Sequence, residues 1–352
     1  MRKEQEMARE SHVTKGHLTR QKHSAIELVT LSYLLSYLPY VILTRYLATN
    51  GMDGHGHPLT GLHILPVMLI SAAVSTYGFI WISGWGRLMH RVRVGGLSLP
   101  GATRATFWSG LCTVFVLTTV PLSYTFRDVS IPFMQLLMRG DILIIAPLVD
   151  LLLGRRVHWW SWGALVLVAL ALFHTLSARG GLALPVLALL TLLIYTAGYF
   201  GRLWVMTRVA KDDDPIRLRR FFSEEKLVAF PIAILSLAAI AWTDRTPGGA
   251  GGQLLWGFTQ AWRSEHLPAM ILTGLMVCAT GVFSGLILLD GRENSFCVPL
   301  ERSASILAGV GGTVILAQFY GGKWPSQAEF VGAALLLIAV LLLSVGPRLR
   351  RR

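Results

Sequence analysis

Charged side chains interrupt two long apolar stretches of this sequence. Arg139, Asp141 and Asp150 fall in one stretch, and Glu301 and Arg302 fall in the other. A charged side chain at membrane depth costs at least about 2.5 kcal/mol on insertion scales, so such residues are candidates for function. Guanidinium and carboxylate groups in an apolar setting can hold a charged solute, carry a proton or pair with each other.

The first stretch reads as a helix with two different polar faces. Gln135 and Arg139 are four residues apart and share a face, and Asp150 returns to it eleven residues later. Asp141 lies about 200° around the helix from Arg139. We expect Gln135 and Arg139 to face a cavity while Asp141 pairs with another helix. The alternative is that Arg139 and Asp141 are both structural and paired with neighbours.

The second stretch reads VPLERSASILAGVGG. Here Arg302 can hold an anionic group, and Glu301 is either a protonatable coupling group or the group that orients Arg302. Ser305 adds a hydroxyl on the same segment. Cross-pairing of Arg139 with Glu301, and of Arg302 with Asp141, would instead satisfy all four charges without a ligand.

An aromatic and basic face follows from Tyr195, Tyr199 and Arg202, which are spaced by four and three residues. Such a face can hold a planar or anionic solute, although a tyrosine belt at the membrane interface has the same pattern. We expect Arg45 and Arg202 to extend to the interface. The predicted substrate-binding residues are Gln135, Arg139, Tyr199, Glu301, Arg302 and Ser305.

Signatures of covalent or metal chemistry are missing from the sequence. There is no DDxxD-like pair, HExxH, nucleophile-elbow serine or GxxxxGK[ST] loop. His55, His57 and His63 lack acidic or cysteine partners, and the three cysteines form no CxxC pair. The run from Asp212 to Asp214 is a weak candidate for a metal–diphosphate site. We therefore expect no catalytic residue, no metal and no cofactor.

The composition indicates a membrane protein. Of 352 residues, 53% are hydrophobic and 14% are charged, whereas soluble domains carry about 25% charged residues. This excludes an ordinary soluble enzyme, a disordered chain and a coiled-coil fibre. The net charge of +13 arises from short basic clusters between apolar runs, so it predicts cytoplasmic loops and no nucleic-acid partner.

Breaks at charge clusters, glycines and prolines divide the chain into ten apolar segments of membrane-spanning length. Counted along the chain with the N-terminus inside, the alternate connections hold 22 Lys and Arg inside and five outside. That asymmetry favours ten helices with both termini cytoplasmic. The predicted helices are 26–48, 61–84, 104–121, 130–153, 158–177, 183–206, 222–243, 267–289, 295–319 and 327–346.

The polar parts predict the organisation of the rest. The first two dozen residues lack a signal-peptide pattern, so the first helix is expected to be retained. The outside loop before helix 267–289 is read as a flexible stretch and an interfacial segment anchored by Trp256 and Trp262. The predicted units are a cytoplasmic tail 1–25, a first transmembrane half 26–206 with helices 1–6 and the first five-helix repeat, a cytoplasmic linker 207–221, the remaining helices in 222–346 and a basic tail 347–352.

Residues 133–173 and 296–343 look alike. Each is a helix with charges, a short turn with glycine, basic and tryptophan residues, and an apolar helix that opens with a glycine. They are the fourth and fifth helices of two successive sets of five. Because five is odd, the two sets would cross the membrane in opposite directions, which is the inverted repeat of many secondary transporters.

In this doubled unit and in its helix count the chain resembles the drug/metabolite transporter superfamily, specifically the ten-helix EamA-like type. The resemblance implies a central cavity lined by helices 1, 3, 4, 6, 8 and 9. The turns depart from the family pattern of glycine followed by glutamate, since Gly154 precedes Arg155 and Gly321 precedes Gly322. The chain is therefore read as a divergent branch.

These observations predict an all-α membrane protein that is not an enzyme. We expect a secondary transporter, an exporter or exchanger, that moves a small polar anionic or zwitterionic metabolite across the cell membrane by alternating access. Its partners would be that solute and membrane lipids. A flippase for a lipid-linked phosphate or sugar is the alternative, and an intramembrane lipid-modifying enzyme is the alternative of another class.

Overall fold

A computed structural model of the chain describes the backbone over 2–54, 56–94, 97–126, 129–154, 157–178, 185–210, 214–246, 248–292 and 294–349. Within these ranges, side chains are described except at 2–25, 94, 140–144, 146–147, 295, 340, 343–344 and 347–349. The side chains of Asp141, Arg155 and Arg156 therefore lie outside the described residues, as does most of the run from Asp212 to Asp214.

The described chain is built almost entirely from helices. Eight of them are long and apolar enough to cross a membrane, so the protein is a helical, multi-pass membrane protein. The helices are α1 Arg2–Asn50, α2 Gly61–Ile82, α3 Arg104–Ser123, α4 Ile131–Leu152, α5 Trp159–Ala178, α6 Val186–Val209, α7 Pro215–Thr243, α8 Ala250–Thr259, α9 Leu267–Leu288, α10 Asn294–Tyr320 and α11 Gln327–Leu349. The eight long apolar helices are α1, of which Ile26–Asn50 is the apolar part, α2, α3, α5, α6, α7, α9 and α10.

Helix α7 begins at Pro215, seven residues before the predicted start at 222. The Asp214 side chain accepts a hydrogen bond from the Ile216 backbone N–H at 2.9 Å, and proline at the first helical position needs no donor. Most of the predicted linker is therefore helical. This extension matters because it places Glu225 and Lys226 well inside a helix that packs against α2 and α3.

The predicted connection between the second and third helices contains a hairpin. Strands β1 (His90–Val94) and β2 (Leu97–Gly101) pair antiparallel. The buried carboxylate of Glu224 holds this hairpin to the bundle, since it accepts hydrogen bonds from the His90 N–H at 2.9 Å and the Thr106 hydroxyl at 2.8 Å. The helical fold thus carries one small sheet that the apolar pattern did not indicate.

The segment before α9, which the sequence predicts to lie outside, is folded. Helix α8 packs against α2 and α7, and the ring of Trp256 meets His63 edge-on at 5.2 Å. Trp256 is buried, whereas Trp262 is exposed. The expected interfacial anchor is therefore wrong for Trp256, because that ring fills the space between α8 and α2.

The helices pack in a defined set of neighbours. Helix α1 lies against α9 and α10, and α6 lies against α3 and α4. Helix α2 contacts α9, and α7 contacts α3. Three further pairs are α4 with α10, α5 with α11, and α2 with α7. This arrangement surrounds one interior space with α1, α3, α4, α6, α7, α9 and α10.

Candidate functional site

A cavity of about 100 Å³ lies inside the bundle. The family resemblance implies a cavity lined by predicted helices 1, 3, 4, 6, 8 and 9, which correspond to α1, α3, α4, α6, α9 and α10. All six of these helices contribute residues to the lining, and α7 adds Lys226. The wall is partly apolar, from α3 and α9, and partly charged. The charged and tyrosine side chains of the wall are Tyr33, Tyr37, Tyr40, Arg139, Tyr199, Arg202, Lys226, Glu301 and Arg302.

Arg139 of α4 is held by tyrosine hydroxyls. Its Nη2 donates to the hydroxyl of Tyr37 on α1, and to that of Tyr124, after α3, at 3.2 Å. The two hydroxyls also bond to each other. The guanidinium lies 5.5 Å from the centre of the Tyr37 ring, a cation–π distance. No carboxylate lies within 4 Å of Arg139 in the described part of the chain.

Gln135 packs behind the cluster formed by Arg139, Tyr37 and Tyr124. Its Nε2 donates to the Tyr124 hydroxyl at 3.2 Å, and the side chain packs where Gly309 of α10 leaves room. A Cβ at Gly309 would come within 1.8 Å of the Gln135 Oε1. Gln135 is fully buried and does not belong to the cavity lining. It positions Tyr124, which in turn contacts Arg139.

Arg302 of α10 sits against Tyr199 of α6. The guanidinium lies 4.0 Å from the ring centre, and its Nε is 3.1 Å from the Glu301 Oε2. That contact is an ion pair by distance, although its angle is not that of a hydrogen bond. Glu301 also accepts from the Ser284 hydroxyl of α9 at 2.7 Å and from Tyr199 at 3.5 Å.

A third cluster joins α6, α7 and α3. The Arg202 Nε donates to the Glu225 Oε1 at 2.7 Å, the Thr113 hydroxyl donates to the same oxygen, and the Lys226 Nζ lies 3.6 Å from it. All three charged side chains are buried. Arg202 therefore lies inside the bundle, and the prediction that it extends to the interface is wrong.

Arg45 also turns inward, to a different role. Its Nη1 donates to the backbone carbonyls of Phe126 at 2.6 Å and Tyr124 at 3.2 Å. These carbonyls lie just beyond the end of α3, where helices leave acceptors unsatisfied. Arg45 thus stabilises the segment that presents the Tyr124 hydroxyl to Arg139.

The predicted site residues divide into two groups. Arg139, Tyr199, Glu301 and Arg302 line the cavity. Ser305 does not, and its hydroxyl donates to the Arg302 carbonyl at 2.7 Å within the same helix. In the described residues Glu301 pairs with Arg302 instead of Arg139; the predicted partner Asp141 lies outside the described side chains.

Asp150 lies farther along α4, away from this cavity. Its Oδ1 accepts a hydrogen bond from Asn294 Nδ2 at 2.9 Å, and Asn294 also bonds to Thr207 at 2.7 Å. This contact ties the ends of α4, α6 and α10 together. Within the described ranges, no group of three or more His, Cys, Asp or Glu side chains is arranged to hold a metal ion.

Two sets of residues in and around the cavity are absent from the predicted site. Tyr33, Tyr37 and Tyr40 follow one another at spacings of four and three, so they share a face of α1; the pattern was present but looked like ordinary apolar sequence. Glu225 and Lys226 lie next to the predicted charged linker. Because the predicted helix begins at 222 and the observed one at Pro215, the sequence places these two residues near a helix end and not in its interior. The signal in α1 is a tyrosine repeated at helical spacing, and in α7 it is a pair of charges at the start of an apolar run.

The described charges around the cavity do not balance. The cations Arg139, Arg202, Lys226 and Arg302 face two carboxylates, Glu225 and Glu301. All six residues are at least nine-tenths buried. These described side chains therefore carry a surplus of two positive charges, and because a buried charge without a partner is unfavourable, an anion would stabilise them.

Comparison with known proteins supports the fold alone. No family model matches the sequence, and no curated protein matches it. A solved crystal structure of a protein aligns with a TM-score of 0.59 at 14% identity, covering 94% of this chain and 99% of the other. Because nearly all of both chains aligns, the two share an overall helical fold, and nothing about activity follows from that likeness.

Proposed function

We propose that this protein is a secondary transporter for a small anionic or zwitterionic metabolite. The observation that carries the proposal is the buried cavity between the helices, with its surplus of positive charge. Such a lining attracts an anion out of water, while the tyrosine hydroxyls can replace part of the solute's hydration. The solute would reach this site from either side as the helices alternate between two arrangements.

The helix neighbours support two inverted repeats in ten membrane helices. The proposed symmetry exchanges α1 with α6, α2 with α7, α3 with α9, α4 with α10 and α5 with α11. Under this exchange the contact α1–α9 becomes α6–α3, and α1–α10 becomes α6–α4. The exchange also maps α2–α9 onto α7–α3, while α4–α10 and α5–α11 map onto themselves. A bundle without internal symmetry has no reason to follow this rule.

The turns after α4 and α10 give further support. Gly154 and Gly321 both follow their helix with a positive φ, 69° and 67°, a backbone conformation that favours glycine. These are the turns on which the resemblance to EamA-like transporters rests. We therefore retain that family as part of the proposal, with both termini cytoplasmic and the protein in the cell membrane, as its Lys and Arg distribution favours.

Uptake into proteoliposomes tests the function. Purified protein would be reconstituted, and uptake of radiolabelled organic anions, zwitterions and cations would be measured against protein-free vesicles under an imposed gradient. We expect saturable uptake of an anion or zwitterion, reduced by about tenfold or more in Arg302→Gln, because a charged hydrogen bond contributes about 1.5–3 kcal/mol. Arg245→Gln, which changes an exposed arginine of the outer surface, should transport normally.

Other outcomes would contradict the proposal. If none of the three solute classes enters above the protein-free vesicles, the transporter function fails. If instead a fluorescent lipid-linked phosphate changes leaflet only in protein-containing vesicles, the protein is a flippase. Chemical change of that lipid, detected by mass spectrometry, would identify an intramembrane enzyme.

A further inference from the structure

The tyrosine pattern of α1 recurs in α6. Tyr33, Tyr37 and Tyr40 have the same spacing as Tyr195, Tyr199 and Arg202. In each helix the first two rings are adjacent and tilted, with centres 5.2 Å apart in α1 and 5.9 Å apart in α6. Helices α1 and α6 are the pair that the proposed internal symmetry exchanges.

The arginines that contact these tyrosines follow the same symmetry. Arg139 is the ninth residue of α4 and Arg302 the ninth of α10, each inside a similar sequence, FMQLLMR and FCVPLER. Arg139 lies over the ring of Tyr37, and Arg302 over that of Tyr199. The shift between copies is 162 residues for the tyrosines and 163 for the arginines. We name these two units the α1/α4 clamp and the α6/α10 clamp.

Both clamps keep hydrogen-bond capacity. In the described part of the chain, the Arg139 Nε has no hydrogen-bond partner, and neither do the Nε and Nη2 of Arg302. Both side chains are almost fully buried, at 2% and 3% exposure, and both line the same cavity. Buried donors without acceptors are rare in proteins, so an acceptor-rich ligand group is expected beside each arginine.

We propose that the cavity holds a small dianion with an acidic group at each end, one bound by each clamp, and that short dicarboxylates are the substrate class. The proposal rests on the transporter function and makes its solute specific. A charge of minus two matches the surplus of two cations, and two separate acidic groups match two clamps that draw on different helices. The cavity volume of about 100 Å³ has room for a short chain.

The contribution of each acidic group can be measured separately. Succinate has two carboxylates, butyrate replaces one by a methyl group, and 4-aminobutyrate replaces one by an ammonium group. Inorganic phosphate places its charge on a single centre. Binding of these four probes to the purified full-length protein would be measured by calorimetry, with malonate and adipate added to test length.

We expect succinate to bind at least tenfold more tightly than butyrate, 4-aminobutyrate or phosphate, and adipate to bind poorly. In Arg139→Gln, succinate should lose this advantage over butyrate, because the second carboxylate then has no clamp. Arg302→Gln should give the same result, and Arg139→Lys should keep part of the preference. Arg245→Gln is the matched control and should bind all probes as the unchanged protein does.

Equal affinities for succinate and butyrate, or tightest binding of phosphate, would overturn the two-headed site. Retention of the succinate preference in both glutamine variants would also overturn the two-headed site, because neither arginine would then bind a carboxylate of the ligand. Should the glutamine variants fold poorly, Tyr37→Phe and Arg302→Lys provide milder tests, and each should reduce the preference for succinate.

Proteoliposome uptake separates this inference from the proposed function. Saturable uptake of butyrate or 4-aminobutyrate without succinate preference would leave a transporter but remove the dianion site. Conversely, tight succinate binding that depends on both arginines, without movement across the membrane, would support the site and reject transport.

Discussion

The two clamps occupy equivalent positions but neutralise their charge differently. In the α6/α10 clamp, Glu301 precedes Arg302 and pairs with it, and Arg202 pairs with Glu225. In the α1/α4 clamp the corresponding positions are Met138 and Tyr40. Arg139 there meets only hydroxyl groups among its described hydrogen-bond partners. On the α6/α10 side each arginine therefore has a carboxylate partner, whereas on the α1/α4 side Arg139 contacts tyrosine hydroxyls.

This difference predicts different roles for the two clamps in ligand binding. Among the described side chains no carboxylate lies within 4 Å of Arg139, so an acidic group of a ligand could contact it without displacing an ion-pair partner. In the proposed complex, Arg302 would exchange its contact with Glu301 for one with the solute. We expect the α1/α4 clamp to supply affinity and the α6/α10 clamp to respond to occupancy.

The largest expected effect concerns the carboxylate that compensates Arg202 and Lys226. Glu225→Gln should lower the free energy of unfolding by about 3–5 kcal/mol, because it leaves buried cations without their partner. Chemical denaturation of the detergent-solubilised protein, followed by tryptophan fluorescence, measures this loss. The control is Glu265→Gln in the exposed loop before α9, which should change little. An unchanged midpoint in Glu225→Gln would show that the charge compensation of this half is unimportant.

A direct contrast between the arginines comes next. Without ligand, Arg302→Gln should destabilise the protein by about 3 kcal/mol, because Glu301 loses its cation in a buried site. Arg139→Gln should change stability by less than about 1 kcal/mol, since losing its hydrogen bonds to tyrosine hydroxyls is offset by removing a buried cation that no described carboxylate contacts within 4 Å. The same denaturation measurement applies to both variants.

Equal losses in the two variants would remove the distinction between the clamps. A larger loss in Arg139→Gln would reverse it and would indicate that a carboxylate reaches Arg139.

How far could the site be predicted from sequence? Arg139, Tyr199, Glu301 and Arg302 were found because charge inside apolar sequence is rare and costly. Ser305 was expected to contribute, but its hydroxyl bonds to its own helix, a local choice that spacing does not reveal. The partners on α1 and α7 needed the tertiary arrangement, because only packing brings those faces to the same cavity.

The helices themselves followed from apolar length, and most boundaries lie within a few residues of prediction. The early start of α7 shows the limit. Hydropathy assigns its first turns to a loop, whereas Asp214 and Pro215 begin a helix in which Glu224 and Glu225 are buried by contacts with α3 and the hairpin. The neutralising role of Glu225 could not be foreseen without that packing.

Glu301→Gln sharpens the comparison through ligand affinity. Removing the carboxylate frees the Arg302 guanidinium and makes the α6/α10 clamp resemble the α1/α4 clamp. We expect about tenfold tighter succinate binding, equivalent to about 1.4 kcal/mol, measured by calorimetry.

Placing a carboxylate in the other half is the reciprocal test. Met138→Glu should weaken succinate binding by competing for Arg139. Weaker binding in Glu301→Gln would mean that Glu301 orients Arg302 for the ligand and does not compete with it.

The smallest effects distinguish hydroxyl from ring. Tyr37→Phe removes the hydroxyl that accepts from Arg139, so it should weaken succinate binding by about 1 kcal/mol, roughly fivefold. Tyr199→Phe keeps the ring under Arg302 and removes only a hydroxyl 3.5 Å from Glu301, so a change within about twofold is expected. Calorimetry of both variants in parallel measures the difference. If the two effects were equal, hydroxyl solvation would not be peculiar to the α1/α4 clamp, and the asymmetry would lie in Glu301 alone.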